Sequence, residues 1–127
     1  MSSPTVILCV DDEPTSLKLR QVLLSIAGYK VLTATCGESA MRLFTLNHVD
    51  LVITDQLLPG RTGEEIASEM KRLKPEVPII LYTGLEELPP SAAHADVILM
   101  KGITPPEFLA AIAKLAAKPQ VPGSEAP

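Results

Sequence analysis

The sequence predicts an α/β fold, a doubly wound five-stranded parallel sheet with helices on both faces. Three observations predict it. Four apolar, largely β-branched runs, Val6 to Val10, Leu51 to Thr54, Ile79 to Tyr82 and Val97 to Met100, are too short for helices and read as strands buried on both faces. Segments of helical period separate strand from strand, and right-handed crossovers between parallel strands put such helices on the two sides of the sheet. The four runs also end alike, in Asp11-Asp12, Asp55, Thr83 and Lys101.

Each element follows from local pattern. After the Val6 to Val10 strand, Pro14 stands where a helix can begin, and Leu17, Leu19, Val22, Leu23, Leu24 and Ile26 recur with helical period up to Gly28. Lys30 to Ala34 is a second strand, and Gly37 to Leu46 a helix whose inner face is Ala40, Met41, Leu43 and Phe44. Asp50 opens the third strand. Glu64 to Leu73 is helical through Ile66, Ala67 and Met70, and Pro75 and Pro78 close it before the fourth strand. Leu85 to Ala95 should then hold a helix, but Pro89-Pro90 falls in its middle. An interior proline costs a helix about 3 kcal/mol, so this fourth helix is predicted to be short or broken. Val97 to Met100 and Pro105 to Ala116 complete the last unit, with Phe108, Leu109, Ile112 and Leu115 pointing inward. Pro, Gly and Ser without periodicity make residues 118–127 a disordered tail or linker to a folded domain of residues 1–117. Such a chain reads equally as a stand-alone domain or as part of a longer protein.

Composition narrows the function. With 46% hydrophobic and 20% charged residues the chain is globular rather than disordered, and no apolar run approaches the roughly 20 residues of a membrane span. The first residues lack a secretory leader pattern, which points to the cytoplasm. A net charge of −4, no basic cluster and only 3% aromatic residues offer no footprint for direct nucleic-acid binding. Cys9 and Cys36 have no metal-ligand spacing and read as free thiols, while His48 and His94 stand apart as surface residues.

The strand ends are more informative. In parallel sheets ligands bind beyond the carboxyl ends of the strands, where Asp11, Asp12, Asp55, Thr83 and Lys101 would gather. Crowded carboxylates repel one another unless a divalent cation joins them or a pKa shifts. Taken singly, each residue has an ordinary structural use: Asp11 and Asp12 as helix caps, Asp55 as a turn former, Thr83 as a strand-end hydroxyl, Lys101 as a solvated charge. Their joint order on successive strands argues for a site.

These residues resemble the receiver domain of two-component response regulators, the fold shared with the bacterial chemotaxis response regulator, from about Val6 to Leu115. The match lies in the acidic pair Asp11-Asp12, in Asp55 followed by Pro59-Gly60 and Gly63, in Thr83 and in Lys101. The resemblance implies a flavodoxin-like strand order of 2-1-3-4-5 and a phosphoacceptor Asp55 supplied by a sensor histidine kinase or phosphotransfer protein. It further implies Mg²⁺ held by Asp11, Asp12, Asp55 and the Leu57 carbonyl, with Thr83 and Lys101 binding the phosphoryl group. A docking surface on the first helix, including Leu17 and Arg20, is implied in the same way.

Two positions depart from the family. Ile98 stands three before Lys101, where receivers usually carry the Tyr or Phe that rotates with the Thr. Gly102 follows the Lys where receivers usually have a cis proline, so a trans peptide is expected here. Phosphoryl acceptance is thus expected to be intact and the output face altered. The alternative is a pseudo-receiver or phosphate sink that binds a partner without phosphorylation-dependent switching. A metal-dependent phosphohydrolase would need a cap or substrate pocket, and the chain has no insertion large enough to supply one.

Overall fold

The computed structural model describes residues 4–84 and 94–116. In chain order these form β1 (Val6–Val10), α1 (Pro14–Ile26), β2 (Lys30–Ala34), α2 (Gly37–Leu46), β3 (Leu51–Thr54), α3 (Gly63–Leu73), β4 (Ile79–Thr83), β5 (Val97–Met100) and α4 (Pro105–Ala116). The five strands are parallel in the order β2-β1-β3-β4-β5, as the resemblance implied. The predicted break at Pro89-Pro90 and the tail from Lys118 lie outside the described residues.

Alternation along the strands divides the interior into two layers. On one face Leu8, Val10, Val52 and Ile79 meet Ala40 and Phe44 of α2 and Ile66, Ala67 and Met70 of α3. On the other, Ile7, Cys9, Leu51, Ile53 and Ile80 meet Leu17 and Leu24 of α1 and Phe108 and Ile112 of α4. A fully buried Leu or Ile contributes about 1.5–3 kcal/mol, so both layers are needed to hold the sheet. Burial on both faces is complete for β1 and β3 and nearly so for β4, but not for β5, where Ile98 is 39% exposed. The correction has a simple cause: β5 and β2 are edge strands, each with a neighbouring strand on one side only.

The predicted apolar stripe of α1 is corrected as well. Leu19, Val22 and Ile26 face outward, and the inward row is Leu17, Arg20 and Leu24. Arg20 at the i+3 position between two leucines is buried with them. Both residues named for docking, Leu17 and Arg20, are therefore turned inward.

Two aspartates pin the starts of strands. Asp50 Oδ2 accepts from the Val6 amide at 2.8 Å and Asp96 Oδ2 from the Ile79 amide at 2.7 Å, so the carboxylate preceding β3 or β5 satisfies the first N–H of its neighbour. Lys71 of α3 pairs with Asp96 at 2.7 Å. With the amino ends fixed, β1 and β3 end level at Val10 and Thr54, and β4 and β5 end level at Thr83 and Met100.

Candidate acidic site at the carboxyl edge of the sheet

Strand register brings the polar residues together. Val10 of β1 lies opposite Thr54 of β3, and the ladder runs one residue past both strands: the Asp11 amide donates to Ala34 at 3.1 Å and the Asp55 amide to Val10 at 3.0 Å. The Lys101 amide likewise donates to Thr83 at 2.8 Å beyond β4 and β5. Backbone pairing thus fixes where Asp11, Asp55 and Lys101 leave the sheet.

Carboxylate oxygens of Asp11, Asp12 and Asp55 lie within 4.8 Å of one another. Lys101 Nζ is 3.0 Å from Oδ1 of Asp55 and donates to Oδ2 at 3.3 Å. A cleft of about 520 Å³ opens over them, lined also by Glu13, Ser16, Leu57, Leu58 and Pro59. Asp55 is only 4% exposed, with both carboxylate oxygens within reach of the Lys101 ammonium. Burial pushes its pKa up to about 6; Lys101 opposes the rise and the Asp11 charge adds to it.

Local hydrogen bonding separates site from scaffold. The N-cap of α1 is Glu13, whose carboxylate accepts from the Ser16 amide at 2.8 Å, so neither Asp11 nor Asp12 fills that position. Asp11 is buried, its Oδ1 accepting from the Glu13 amide at 2.9 Å and its Oδ2 from Arg20 Nη2; Asp12 is exposed to the cleft. On the Asp55 side, Gln56 anchors α3: its carbonyl accepts from the Gly63 amide at 2.8 Å and its side chain from the Glu64 amide at 3.0 Å. Thr62 and Glu65 close a capping box over the same helix end.

Leu57 lines the cleft with the three aspartates and Lys101. Thr83 does not: it is fully buried, its hydroxyl turned to the Gly84 carbonyl at 3.4 Å. Ile98 lies across from Leu81 on the exposed edge, away from the cleft. No peptide bond among the described residues is cis, and Gly102 has φ +103°. Proline, held near −65°, cannot take that angle, so the loop after Lys101 follows a glycine-dependent path. Cys9 is a buried free thiol whose pKa burial pushes up to about 12, and Cys36 is free as well.

Sequence reasoning missed Arg20 as a partner of Asp11, and Glu13 and Gln56 as the groups that frame the two aspartates. A charge at the i+3 position between Leu17 and Leu24 was the available signal for Arg20. Nothing in the local pattern marked Gln56.

Response regulator receiver domains match residues 7–113 of the chain as a family. The chain belongs to that family. Among the relatives of this receiver, the probable transcriptional regulator ycf27 of Cyanidium caldarium is 34% identical over 84% of the chain and 44% of its own length. The transcriptional regulatory protein GlrR of Escherichia coli is 32% identical over 81% of the chain and 23% of its own length. The receiver thus spans less than half of these two curated relatives. A solved structure of the response regulator TrrA from Thermotoga maritima, in complex with Mg²⁺ and BeF, is 34% identical with a TM-score of 0.82, covering 87% of this chain and 98% of that one. A receiver domain from Clostridium thermocellum is 33% identical with a TM-score of 0.83, covering 90% and 95%.

The chain is therefore a receiver domain, a signalling module of two-component systems. No described helix is long and apolar enough to cross a membrane. The acidic cluster also fits a hard divalent cation: every donor is oxygen, and three carboxylates converge within 4.8 Å of one another.

Proposed function

We propose that this receiver accepts a phosphoryl group on Asp55 from the phosphohistidine of a sensor histidine kinase or phosphotransfer protein. The supporting observation is a buried carboxylate set beside two further carboxylates and a lysine ammonium at 3.0 Å. In the transfer an Asp55 oxygen forms a bond to phosphorus as the P–N bond to histidine breaks. Asp11, Asp12, Asp55 and the Leu57 carbonyl would hold Mg²⁺, which when bound offsets negative charge around the phosphoryl group. Lys101, 3.0 Å from Asp55, would supply a second positive charge, so the chain's task is positioning and electrostatics. In the modified protein the Thr83 hydroxyl, which meets the Gly84 carbonyl at 3.4 Å, would rotate to donate to a phosphoryl oxygen. That rotation would make Asp55 the input of a switch.

The test is intact-mass analysis after incubation with acetyl phosphate, with and without Mg²⁺. A gain of one phosphoryl group that needs Mg²⁺ and is absent in Asp55→Asn is the expected result. No gain in the wild-type protein would overturn the proposal.

Kinase docking is reassigned to the outer face of α1. Leu19, Val22 and Ile26 are 66%, 43% and 80% exposed and form a row at i, i+3 and i+7, whereas Leu17 and Arg20 face the core. Leu19→Asp is expected to slow transfer from the cognate phosphohistidine protein about tenfold, the loss of one interface anchor, while leaving the rate with acetyl phosphate unchanged. Equal slowing with both donors would place the effect in the site and sink the assignment.

A further inference from the structure

Arg20 is a charge inside the layer between α1 and the sheet. Its Nη2 donates to Asp11 Oδ2, and its guanidinium carbon lies 4.7 Å from the centre of the Tyr82 ring. That ring contacts Phe108 of α4, with centroids 5.6 Å apart. Arg20 Nε is buried without an acceptor. The guanidinium is thus held by one carboxylate oxygen and one aromatic face, with a donor left unsatisfied, which is costly for a buried charge.

Asp11 is engaged on both oxygens, Oδ1 by the Glu13 amide and Oδ2 by Arg20. A divalent cation entering among Asp11, Asp12 and Asp55 therefore meets a carboxylate already neutralised, and meets a like charge behind it. We propose that Arg20 is an internal counter-cation of the carboxylate cluster, which a divalent cation displaces from Asp11, so that metal binding loosens the guanidinium from Tyr82. The inference rests on the cluster being the Mg²⁺ site proposed above. It adds a route from that site to the α4 side through Tyr82 and Phe108, on the opposite face of the sheet from α3. It also assigns a role to a buried arginine that packing alone does not explain, since a leucine would continue the row of Leu17 and Leu24.

Because both cations compete for one carboxylate, the coupling is reciprocal and removing Arg20 must tighten metal binding. The experiment is a titration of the full chain with MgCl₂ followed by NMR, reading occupancy at the Asp11 and Asp12 amides and displacement at Arg20 Nε–H and the Tyr82 ring. In the wild type all four signals are expected to move with one midpoint. Arg20→Met, which keeps length and loses charge, is expected to lower the Mg²⁺ dissociation constant about tenfold, within the usual range of coupling between sites. Arg20→Lys, which keeps the charge, should return it to near the wild-type value. Mg²⁺ binding that leaves Arg20 Nε–H and Tyr82 unmoved, or that is equal or weaker in Arg20→Met, overturns the inference and leaves the metal site standing. Absence of Mg²⁺ binding in every protein overturns both. The wild-type resonances decide the matter even if a variant folds poorly.

Discussion

Gly63→Ala is expected to destabilise the protein by about 3 kcal/mol, at the upper end of overpacking effects, and to slow phosphoryl uptake at the same time. A Cβ on Gly63 would lie 2.9 Å from the Asp55 carbonyl carbon and 2.9 Å from Leu81 Cδ1, and nearer still to the Asp55 carbonyl oxygen. Two of those atoms are backbone, and the third belongs to a fully buried leucine in β4. None can yield as an exposed side chain would. The first turn of α3 must therefore back away from the residue that bears the acceptor carboxylate, and the Gly63 amide must lengthen its bond to the Gln56 carbonyl. A misplacement of about 1 Å in a reacting group can cost on the order of a hundredfold in rate, so the labelling rate with acetyl phosphate should fall even in the folded fraction.

Gly60 provides the control within the same loop. It has φ +78°, and no atom lies within 4 Å of where an added Cβ would stand, so Gly60→Ala meets torsional strain alone and no collision with Asp55. That strain costs about 1–2 kcal/mol. Urea unfolding should rank Gly63→Ala below Gly60→Ala, and only Gly63→Ala should lose labelling rate after correction for the folded fraction. Equal labelling in both would show that the approach of α3 to Asp55 does not position the carboxylate.

The contrast between these glycines indicates what is legible in the sequence. Strand and helix periods place Asp11, Asp55 and Lys101 at one edge without any tertiary information, because parallel pairing sends the ends of neighbouring strands the same way. Gly63 reads in the sequence as a turn residue; its real constraint, contact with the Asp55 backbone, depends on two segments meeting in space. Leu19, Val22 and Ile26 read as core because hydrophobicity alone cannot choose between two apolar stripes on one helix. Arg20 settles that choice, and its burial depends on Asp11 and Tyr82, which lie nine residues before it and on another strand. Thr83 lies buried beyond the cleft with its hydroxyl on the Gly84 carbonyl, a tertiary feature that no strand or helix period records.

Asp55→Asn is expected to make the metal-free protein more stable at pH 7, by roughly 1–3 kcal/mol, although it removes the acceptor and the partner of Lys101. The Asp55 pKa stands at about 6 against 3.8 for the free group, because burial and then the Asp11 charge outweigh what Lys101 returns. A raised carboxylate pKa means that the unfolded chain loses its proton first. Below about pH 4 the group is protonated in both states and has no effect. Between about pH 4 and 6 only the unfolded chain ionises, so folding weakens as pH rises, and above about pH 6 the full penalty remains. Asparagine has no such penalty, so the stability difference between the two proteins should grow from near zero at pH 4 to a plateau above pH 6. Mg²⁺ should reverse the order: a ligand at 100 times its dissociation constant adds about 2.7 kcal/mol to the state that binds it, and the wild type, with all three carboxylates, binds more tightly than the variant. Thermal melts of both proteins from pH 4 to 8, with and without MgCl₂, measure all of this at once. A metal-free wild type that is the more stable of the two at pH 7 would mean that the Lys101 ion pair outweighs the burial of Asp55, and the strain that makes this carboxylate ready for a cation and a phosphoryl group would not exist.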